Sequence, residues 1–280
     1  MNVIYLLGAG RSGTTLMATV LNSHQKIKTI GEMHQFIEHV NNGKSCSCGE
    51  SLNNCTYWSS ILRELKFEEQ DLEQIQNEQD QKESHKNILK LLFKKSPDKA
   101  YLKIQNHIFN TIHKQYPDQT ILDSSKYISR YLLLKQSKVL NLKGIYVVRD
   151  VRGVINSFQK QVQTPKSPLA TIAYYSLINL CGQLVCWIDK DILKIKYEDF
   201  VENPEYVTNK IYSHIFEKEN QIGLPENYIM PHIIGGNRMK SNKKITINSD
   251  VKWKEKISRP KQIMYYLLSF PFMALNRYKL

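Results

Sequence analysis

A glycine-rich segment near the amino terminus constrains the fold more than any other feature of this sequence. Residues 8–15, GAGRSGTT, follow the apolar run at 3–7 and precede the helix-like run at 16–21. A strand, a tight glycine turn and a helix in this order are typical of a loop that binds an anion through backbone N–H groups and the helix N-terminus. The pattern predicts an α/β fold that begins with a phosphate-binding loop.

This loop departs from a nucleotide-triphosphate loop at one position. The spacing from Gly8 to Gly13 matches such a loop, but Thr14 stands where the lysine belongs, and the positive charge lies at Arg11. The change favours an anionic donor other than ATP or GTP. Backbone N–H groups, hydroxyls and a guanidinium are the expected anion ligands. The predicted donor-binding residues of the loop are Gly10, Arg11, Ser12, Gly13, Thr14 and Thr15.

Further apolar runs, separated by helical patterns, predict a mainly parallel sheet with helices on both faces. The predicted strands lie at 3–8, 26–30, 119–122, 144–148 and 192–197. Each of the later four ends next to charged or polar residues, and ligands of such sheets bind at the carboxyl ends of strands. We therefore expect a single α/β domain over residues 1–280, with a helical insert at about 59–118. Residues 68–86 are strongly polar and predict an exposed helix or a mobile lid.

A second motif begins at the end of the strand at 144–148. Arg149 follows that strand, and Ser157 lies about two helical turns further along the chain. An anion above the start of this helix would meet a guanidinium, the helix dipole and a hydroxyl. Arg149 and Ser157 are therefore predicted to bind part of the donor.

The two motifs together resemble those of the sulfotransferases. Gly-x-x-Arg-Ser-Gly-Thr-Thr-Leu at 8–16 resembles the 5′-phosphosulfate loop of that family, and Val-Arg-Asp-x-Arg-x-x-x-x-Ser at 148–157 resembles its 3′-phosphate site. Other similar segments are Gly31-Glu32, Asp123-Ser124-Ser125-Lys126, Tyr197-Glu198-Asp199-Phe200, Gly235-Gly236-Asn237-Arg238 and Asp250-x-x-Trp253. The pattern is similar to bacterial members related to carbohydrate and tyrosylprotein sulfotransferases. Val151 departs from it, because the family usually has proline or glycine there.

The resemblance implies a P-loop-NTPase-like three-layer sandwich and a transferase that uses 3′-phosphoadenosine-5′-phosphosulfate (PAPS). The sulfuryl group would pass to a hydroxyl or amine of a glycan, lipid or small molecule, with 3′-phosphoadenosine-5′-phosphate (PAP) as product and no metal required. Asn237 and Arg238 would lie on a loop near the 3′-phosphate or the adenine.

The catalytic residues are expected to be Glu32, Arg11 and Lys126. The resemblance gives Glu32 the role of general base, and His34 is the competing base two residues on. Arg11 and Lys126 would neutralise charge on the leaving phosphate. His24 is expected to be structural.

Two other functions compete with this one. A degenerate nucleotide kinase or NTPase would share the loop, but the sequence offers no persuasive Mg²⁺ ligand. A non-catalytic nucleotide- or anion-binding protein would explain the net charge of +13. One donor with about four negative charges does not balance that charge, so an anionic second substrate, a membrane surface or a lysine-rich composition accounts for the rest. The basic residues are scattered, and we expect no nucleic-acid partner.

Cys46, Cys48 and Cys55 form a cluster of cysteines in a turn-rich segment. They could bind zinc with a fourth ligand such as His39, or form a disulfide in an oxidising compartment. Structural zinc usually shows paired cysteine spacings, and only one such pair is present. Without a signal peptide, reduced thiols in a surface loop are the default expectation.

The ends of the chain bear on its location. The first predicted strand begins almost at Met1, so we expect no signal peptide and a cytoplasmic protein. The apolar run at 263–275 is shorter than a membrane span and contains Pro271, which favours packing on the core. Its basic flanks leave peripheral membrane contact as the alternative. The sequence does not predict an oligomeric state.

Overall fold

A computed structural model describes residues 1–93, 96–160, 165–216, 223–236 and 238–280, except for the side chains of Glu69 and Arg238. The strands in these residues are β1 (Asn2–Gly8), β2 (Ile27–Gly31), β3 (Thr120–Lys126), β4 (Asn141–Val148), β5 (Ile192–Lys196), β6 (Tyr228–Ile229) and β7 (Lys244–Ile245). The first five form one sheet in the order β2-β3-β1-β4-β5, and β6 and β7 form an antiparallel pair. The predicted central parallel sheet, flanked by helices, is confirmed.

The described residues also contain the helices that cover this sheet. They are α1 (Thr14–Leu21), α2 (Phe36–Asn41), α3 (Trp58–Leu65), α4 (Glu69–Glu83), α5 (Ile88–Phe93), α6 (Lys99–Gln115), α7 (Ile128–Leu134), α8 (Val151–Phe158), α9 (Pro168–Ile188), α10 (Tyr197–Glu202), α11 (Pro204–Phe216), α12 (Trp253–Lys256), α13 (Arg259–Leu268) and α14 (Phe270–Leu275). Short 3₁₀ turns occur at Met33–Gln35, His85–Asn87 and Arg238–Ser241. The helices α3 to α6 occupy the predicted helical insert.

The internal contacts of the chain divide it into two compact units. The first unit comprises Met1–Leu7, Thr15–Gly144 and Pro225–Ile245. The second comprises Gly8–Thr14, Ile145–Leu224 and Thr246–Leu280. Each unit is built from distant stretches of sequence, and the expectation of a single domain over 1–280 stays a prediction.

In the first unit, β3 pairs in parallel with both β1 and β2. The register of these pairs shifts near the carboxyl ends of the strands, between Tyr5 and Leu7 on β1 and between Thr29 and Gly31 on β2. Such irregularities redirect side chains at a strand end. β3 extends beyond the predicted end at 122 to Lys126, so the polar residues 123–126 belong to the strand itself.

The polar segment predicted as an exposed helix or lid is α4, which packs on α2 and α7 of the same unit. The predicted helix is present, but it is not fully exposed, because Leu72, Gln79 and Glu83 are buried. Glu83 is buried beside an arginine that neutralises it, as described below.

In the second unit, α8 packs on α9, α12 and α13, and α9 also packs on β5 and α14. Among the described residues, α9 is the one helix long and apolar enough to cross a membrane, with a mean hydropathy of 1.4. Half of that window is buried within the structure, as in the core helix of a globular domain, so the helix is weak evidence for a membrane span.

Candidate functional site

The loop at residues 8–14, between β1 and α1, belongs to the second unit and packs tightly within it. Gly13 has a φ of 88°, and a Cβ atom there would lie 2.2 Å from the ring of Tyr197. Both the left-handed conformation and the lack of space require glycine at this position. The N–H of Gly10 donates to the hydroxyl of Tyr174 at 2.8 Å, which fixes the middle of the loop.

Ser12 contributes a buried hydroxyl to this loop. Its side chain is 1% exposed, and its hydroxyl has no hydrogen-bond partner among the residues that the structure describes. A buried hydroxyl without a partner costs about 1–3 kcal/mol, so such groups usually have a ligand or a functional reason. Thr14, also buried, begins α1, where the first backbone N–H groups have no partner within the helix.

Three of the predicted donor-binding side chains converge in the second unit. The guanidinium Nε of Arg11 donates to the Ser157 hydroxyl at 2.9 Å. Arg149 donates from Nη1 to the backbone carbonyl of Arg11 at 3.0 Å, and its guanidinium lies 4.2 Å from the centre of the Tyr197 ring. Arg149 and Ser157 are 138 and 146 positions from Arg11 along the chain, so tertiary folding brings these residues together.

An acidic residue neutralises this basic cluster. Arg149 Nη2 lies 3.2 Å and Lys160 Nζ lies 3.3 Å from the same carboxylate oxygen of Asp250. Burial raises the pKa of Asp250, but the two cations outweigh that effect and lower it overall. An arriving phosphate would compete with this carboxylate for both cations. The sequence did not predict Lys160, and no motif marks it.

Asp150 and Arg152, the other charged residues of the second motif, have structural partners. Asp150 caps α8 by accepting from the N–H of Arg152 and also pairs with its guanidinium, at 2.7 Å from Nη2. Arg152 in turn donates to the carbonyl of Lys279 and lies 4.3 Å from the Trp253 ring. Trp253 therefore packs on Arg152. Glu198 accepts from the N–H of Asp150 at 3.0 Å, in agreement with a structural corner after β5.

The first unit contains two of the predicted catalytic residues. They are Glu32, the predicted base, and Lys126, which is predicted with Arg11 to neutralise the leaving phosphate. Glu32 and Lys126 form a short ion pair between Oε1 and Nζ, with side-chain exposures of 9% and 16%. The other carboxylate oxygen of Glu32 accepts from Gln35 Nε2 at 3.2 Å. The ion pair and this hydrogen bond fix the orientation of the buried carboxylate, and a general base needs a fixed orientation.

Lys126 and Arg11 share an unusual backbone conformation. Their φ angles are 72° and 70°, in the left-handed region that residues other than glycine seldom adopt. Such a conformation costs of order 1–3 kcal/mol and persists only where the surrounding structure holds it in place. Residues of this kind cluster at functional sites. Both residues predicted to neutralise the leaving group are therefore held in costly conformations.

The backbone of Glu32 is fixed by a close crossing of two chain segments. Its N–H donates to the carbonyl of Ile234 at 2.8 Å. A Cβ atom at Gly31, where φ is 90°, would lie 2.3 Å from that same carbonyl oxygen. Only glycine permits this approach. The segments 31–32 and 235–236, which both resemble segments of the sulfotransferases, are therefore in contact.

His34, the competing base, is less suited to the role. Burial, then the charges of Lys126 and Arg130, lower its pKa well below the ordinary value. Its ring lies 4.3 Å from that of Tyr127. His24 has a structural contact, since its Nδ1 accepts from the N–H of Lys26 at 3.1 Å.

A buried ionic network supports the strand end that precedes Lys126. Asp123 is fully buried and accepts from Arg130 Nε at 3.0 Å and from the Ser125 N–H at 2.9 Å. Arg130 also donates to Glu83 at 2.6 Å. Burial is the larger effect and raises the pKa of Glu83 above its ordinary value, although the charge of Arg130 lowers it. Asp123 and Ser125 therefore have structural contacts at the strand end that leads to Lys126.

Two predicted residues lie at the limit of the described structure. Asn237 lies outside the described residues, and Arg238 is described only by its backbone at the start of the 3₁₀ turn Arg238–Ser241. Their proposed contact with the donor stays a prediction.

The model of the sulfotransferase family matches residues 3–217 of this chain. The chain belongs to the sulfotransferase family. Two solved structures share the fold of this sulfotransferase. One is the sulfotransferase domain from the curacin biosynthetic pathway, with 16% identity, a TM-score of 0.59, and coverage of 100% of this chain and 98% of that one. The other is the sulfotransferase domain of the Synechococcus PCC 7002 olefin synthase, with 18% identity, a TM-score of 0.57, and coverage of 100% and 96%. Among curated protein sequences, none matches significantly.

Family membership makes the chain a transferase of sulfuryl groups, in agreement with the predicted enzyme class. Both motifs fall within the matched residues 3–217.

Proposed function

We propose that this sulfotransferase uses PAPS and transfers its sulfuryl group to a hydroxyl or amine of a glycan, lipid or small molecule. One observation supports the donor above all others. Arg11, Arg149 and Ser157 converge beside a loop whose buried Ser12 hydroxyl lacks a described partner. A donor with phosphate groups at both its 3′ and 5′ positions needs two adjoining sets of cationic and hydroxyl ligands. The resemblance assigns the 5′ set to residues 10–15 and the 3′ set to Arg149 and Ser157.

The chemistry follows from charge. An acceptor oxygen or nitrogen attacks sulfur as the bond from sulfur to the bridging phosphate oxygen breaks, and that oxygen gains negative charge. Arg11 and Lys126 would stabilise this charge, so the transfer itself requires no metal. Glu32 would take the acceptor proton, which contributes about 10²–10⁴-fold to rate when a base is well placed.

The location is proposed on separate grounds. No disulfide joins any of the five cysteines, all of which the structure describes, and cysteines stay reduced in reducing compartments. We place the enzyme in the cytoplasm. Apolar side chains exposed on α9 and α13, such as Trp187 and Leu267, make contact with a membrane surface the alternative. We propose no nucleic-acid partner, and the oligomeric state stays open.

The donor is tested by ligand stabilisation. We expect PAP to raise the melting temperature of the purified chain in the absence of magnesium, because a ligand that binds the folded state alone stabilises it by RT ln(1 + [L]/Kd). ATP should give a smaller shift, since it lacks the 3′-phosphate. Differential scanning fluorimetry with PAP, ATP and ATP plus magnesium measures this. Stabilisation by magnesium and ATP, with no response to PAP, would contradict the proposal and favour a nucleotide kinase or NTPase.

The Asp250 carboxylate should oppose donor binding. Asp250→Asn removes a negative charge that lies 3.2 Å from Arg149 and 3.3 Å from Lys160. Since a partly exposed ion pair is worth about 0–1 kcal/mol, we expect PAP to bind about two- to fivefold more tightly to the variant. Isothermal titration calorimetry at low and high salt measures the effect. Weaker binding would mean that Asp250 positions Arg149 for the donor instead of competing with it.

A further inference from the structure

Three cysteines and one histidine of the first unit form a compact group remote in sequence. The possible ligand atoms of Cys46, Cys48, Cys55 and His232 all lie within 4.8 Å of one another. Cys46 and Cys55 are buried and Cys48 is exposed. We propose that these four residues bind one Zn²⁺ ion, which links the cysteine loop to the segment around His232.

The distances within the group match those of a tetrahedral zinc site. Cys48 Sγ lies 3.7 Å from Cys55 Sγ, and Nδ1 of His232 lies 3.1 Å from Cys55 Sγ and 3.8 Å from Cys46 Sγ. Zinc–sulfur bonds of about 2.3 Å and zinc–nitrogen bonds of about 2.0 Å place the ligand atoms of a tetrahedron about 3.5–3.8 Å apart. Zinc can therefore enter with small side-chain adjustments. A disulfide between Cys48 and Cys55 would need its sulfurs to approach to about 2.0 Å.

The chemistry of the set indicates a structural ion. Three thiolates and one imidazole complete the four positions that zinc prefers, and closed Cys₃His sets are typical of structural sites. No position remains for water or substrate. The ion would contribute to folding and would take no part in sulfuryl transfer, for which no metal was expected.

Backbone hydrogen bonds already hold the cysteine loop in place. The N–H of Gly49 donates to the carbonyl of Cys46 at 3.0 Å, which closes a tight turn around Cys48. The N–H of Cys46 donates to the carbonyl of Glu50 at 2.9 Å. The loop is thus fixed before a metal binds, which lowers the entropic cost of assembling the site.

Ser47 connects the same loop to the segment that contains His232. Its hydroxyl donates to the carbonyl of Pro231 at 2.6 Å and accepts from the N–H of Ile233 at 3.0 Å. The two hydrogen bonds flank His232 on either side. They bring a histidine 177 residues from Cys55 within reach of its sulfur.

His39, the fourth ligand suggested by the sequence, is engaged elsewhere. Its Nδ1 lies 2.9 Å from the carbonyl of Gln35, and its Nε2 accepts from the N–H of Gly235 at 3.4 Å. Both ring nitrogens therefore have partners. The structure brings His232 to the cysteines instead.

The position of the site gives zinc a consequence for Glu32. His232 lies two residues before Ile234, whose carbonyl accepts from the Glu32 N–H and whose N–H donates to the Ile30 carbonyl. Zinc bound at His232 would hold this segment against the end of β2. Loss of the ion should loosen the backbone that positions Glu32.

The proposal is tested by metal content. We expect the full-length chain, purified with reductant and without a metal-affinity column, to contain one zinc per chain by inductively coupled plasma mass spectrometry. Cys48→Ser should lose most of this zinc on dialysis against a chelator that leaves the parent loaded. Cys186→Ser, which changes a cysteine of α9 outside the group, should retain it. Co²⁺ added to the zinc-free chain should give the intense visible absorption of a tetrahedral thiolate site, which Cys48→Ser should weaken.

A second measurement covers variants that fold poorly. Stripping zinc from the parent with a strong chelator should lower its melting temperature, and added Zn²⁺ should restore it. His232→Cys keeps four ligands and should retain zinc, whereas His232→Ala should bind it more weakly. The proposal is overturned if the parent contains no zinc and gives no Co²⁺ spectrum, if Cys48→Ser keeps its zinc like Cys186→Ser, or if intact mass shows a disulfide between Cys48 and Cys55.

Discussion

Glu32→Gln should reduce the turnover of this sulfotransferase by about 10²–10⁴-fold and leave PAP binding nearly unchanged. The substitution keeps the size of the side chain and removes its ability to take a proton. Glu32 is 7% exposed and has two described side-chain partners, Lys126 and Gln35. A glutamine can still contact Gln35, so the loss should fall on the chemical step instead of on folding.

Transfer from radiolabelled PAPS to an extract of native glycans and lipids provides the assay and identifies the acceptor fraction. Glu73→Gln, an exposed glutamate on α4, is the matched control and should behave as the parent. His34→Gln tests the competing base, and we expect it to change turnover far less than Glu32→Gln does. Unchanged turnover in Glu32→Gln, together with a large loss in His34→Gln, would transfer the role of base to His34.

The pH profile separates a catalytic role of Glu32 from a positioning role. A general base works only while it is unprotonated, so activity that depends on such a base declines in acid. Glu32→Gln should lack this decline in its residual activity. A variant that was merely mispositioned would keep the pH profile of the parent at a lower level.

The sequence predicted the sheet and the donor loop because both depend on local patterns. Apolar runs such as those of β1 and β4 and the glycine spacing of residues 8–13 are properties of short segments. Parallel strands place their carboxyl ends at one edge, so contacts such as Arg11 with Ser157 follow from the order of motifs. These parts of the fold and site were accessible before any coordinates.

The contacts that the sequence did not predict join residues whose proximity no local pattern determines. Asp250 neutralises Arg149 from 101 residues away, and His232 meets Cys46 across 186 residues. Glu83 lies in a polar helix whose composition indicates exposure, yet it is buried because Arg130 neutralises it across 47 residues. Burial of a charge depends on a partner, and the partner is set by tertiary packing.

Arg149→Ala should weaken PAP binding about 30- to 1000-fold, equivalent to about 2–4 kcal/mol. Arg149 is 5% exposed, and its guanidinium contacts the Arg11 carbonyl, the Asp250 carboxylate and the Tyr197 ring at once. A buried guanidinium offers paired donors to a phosphate, and alanine leaves that phosphate without them. Arg149→Lys keeps the charge and loses the forked geometry, so its loss should be intermediate.

Calorimetric titration of PAP and of adenosine-5′-phosphosulfate, which lacks the 3′-phosphate, assigns the contact. If Arg149 binds the 3′-phosphate, Arg149→Ala should weaken the binding of PAP strongly and the binding of adenosine-5′-phosphosulfate little. The affinities of the variant for the two ligands should then converge. Arg63→Ala, an exposed arginine on α3, is the control for loss of one positive charge. Truncation of a buried side chain also destabilises the fold, by about 1–3 kcal/mol, so binding is compared below the melting temperature of each variant. Equal losses for the two ligands would place Arg149 at the 5′ end of the donor, and no loss for either would remove it from the donor site.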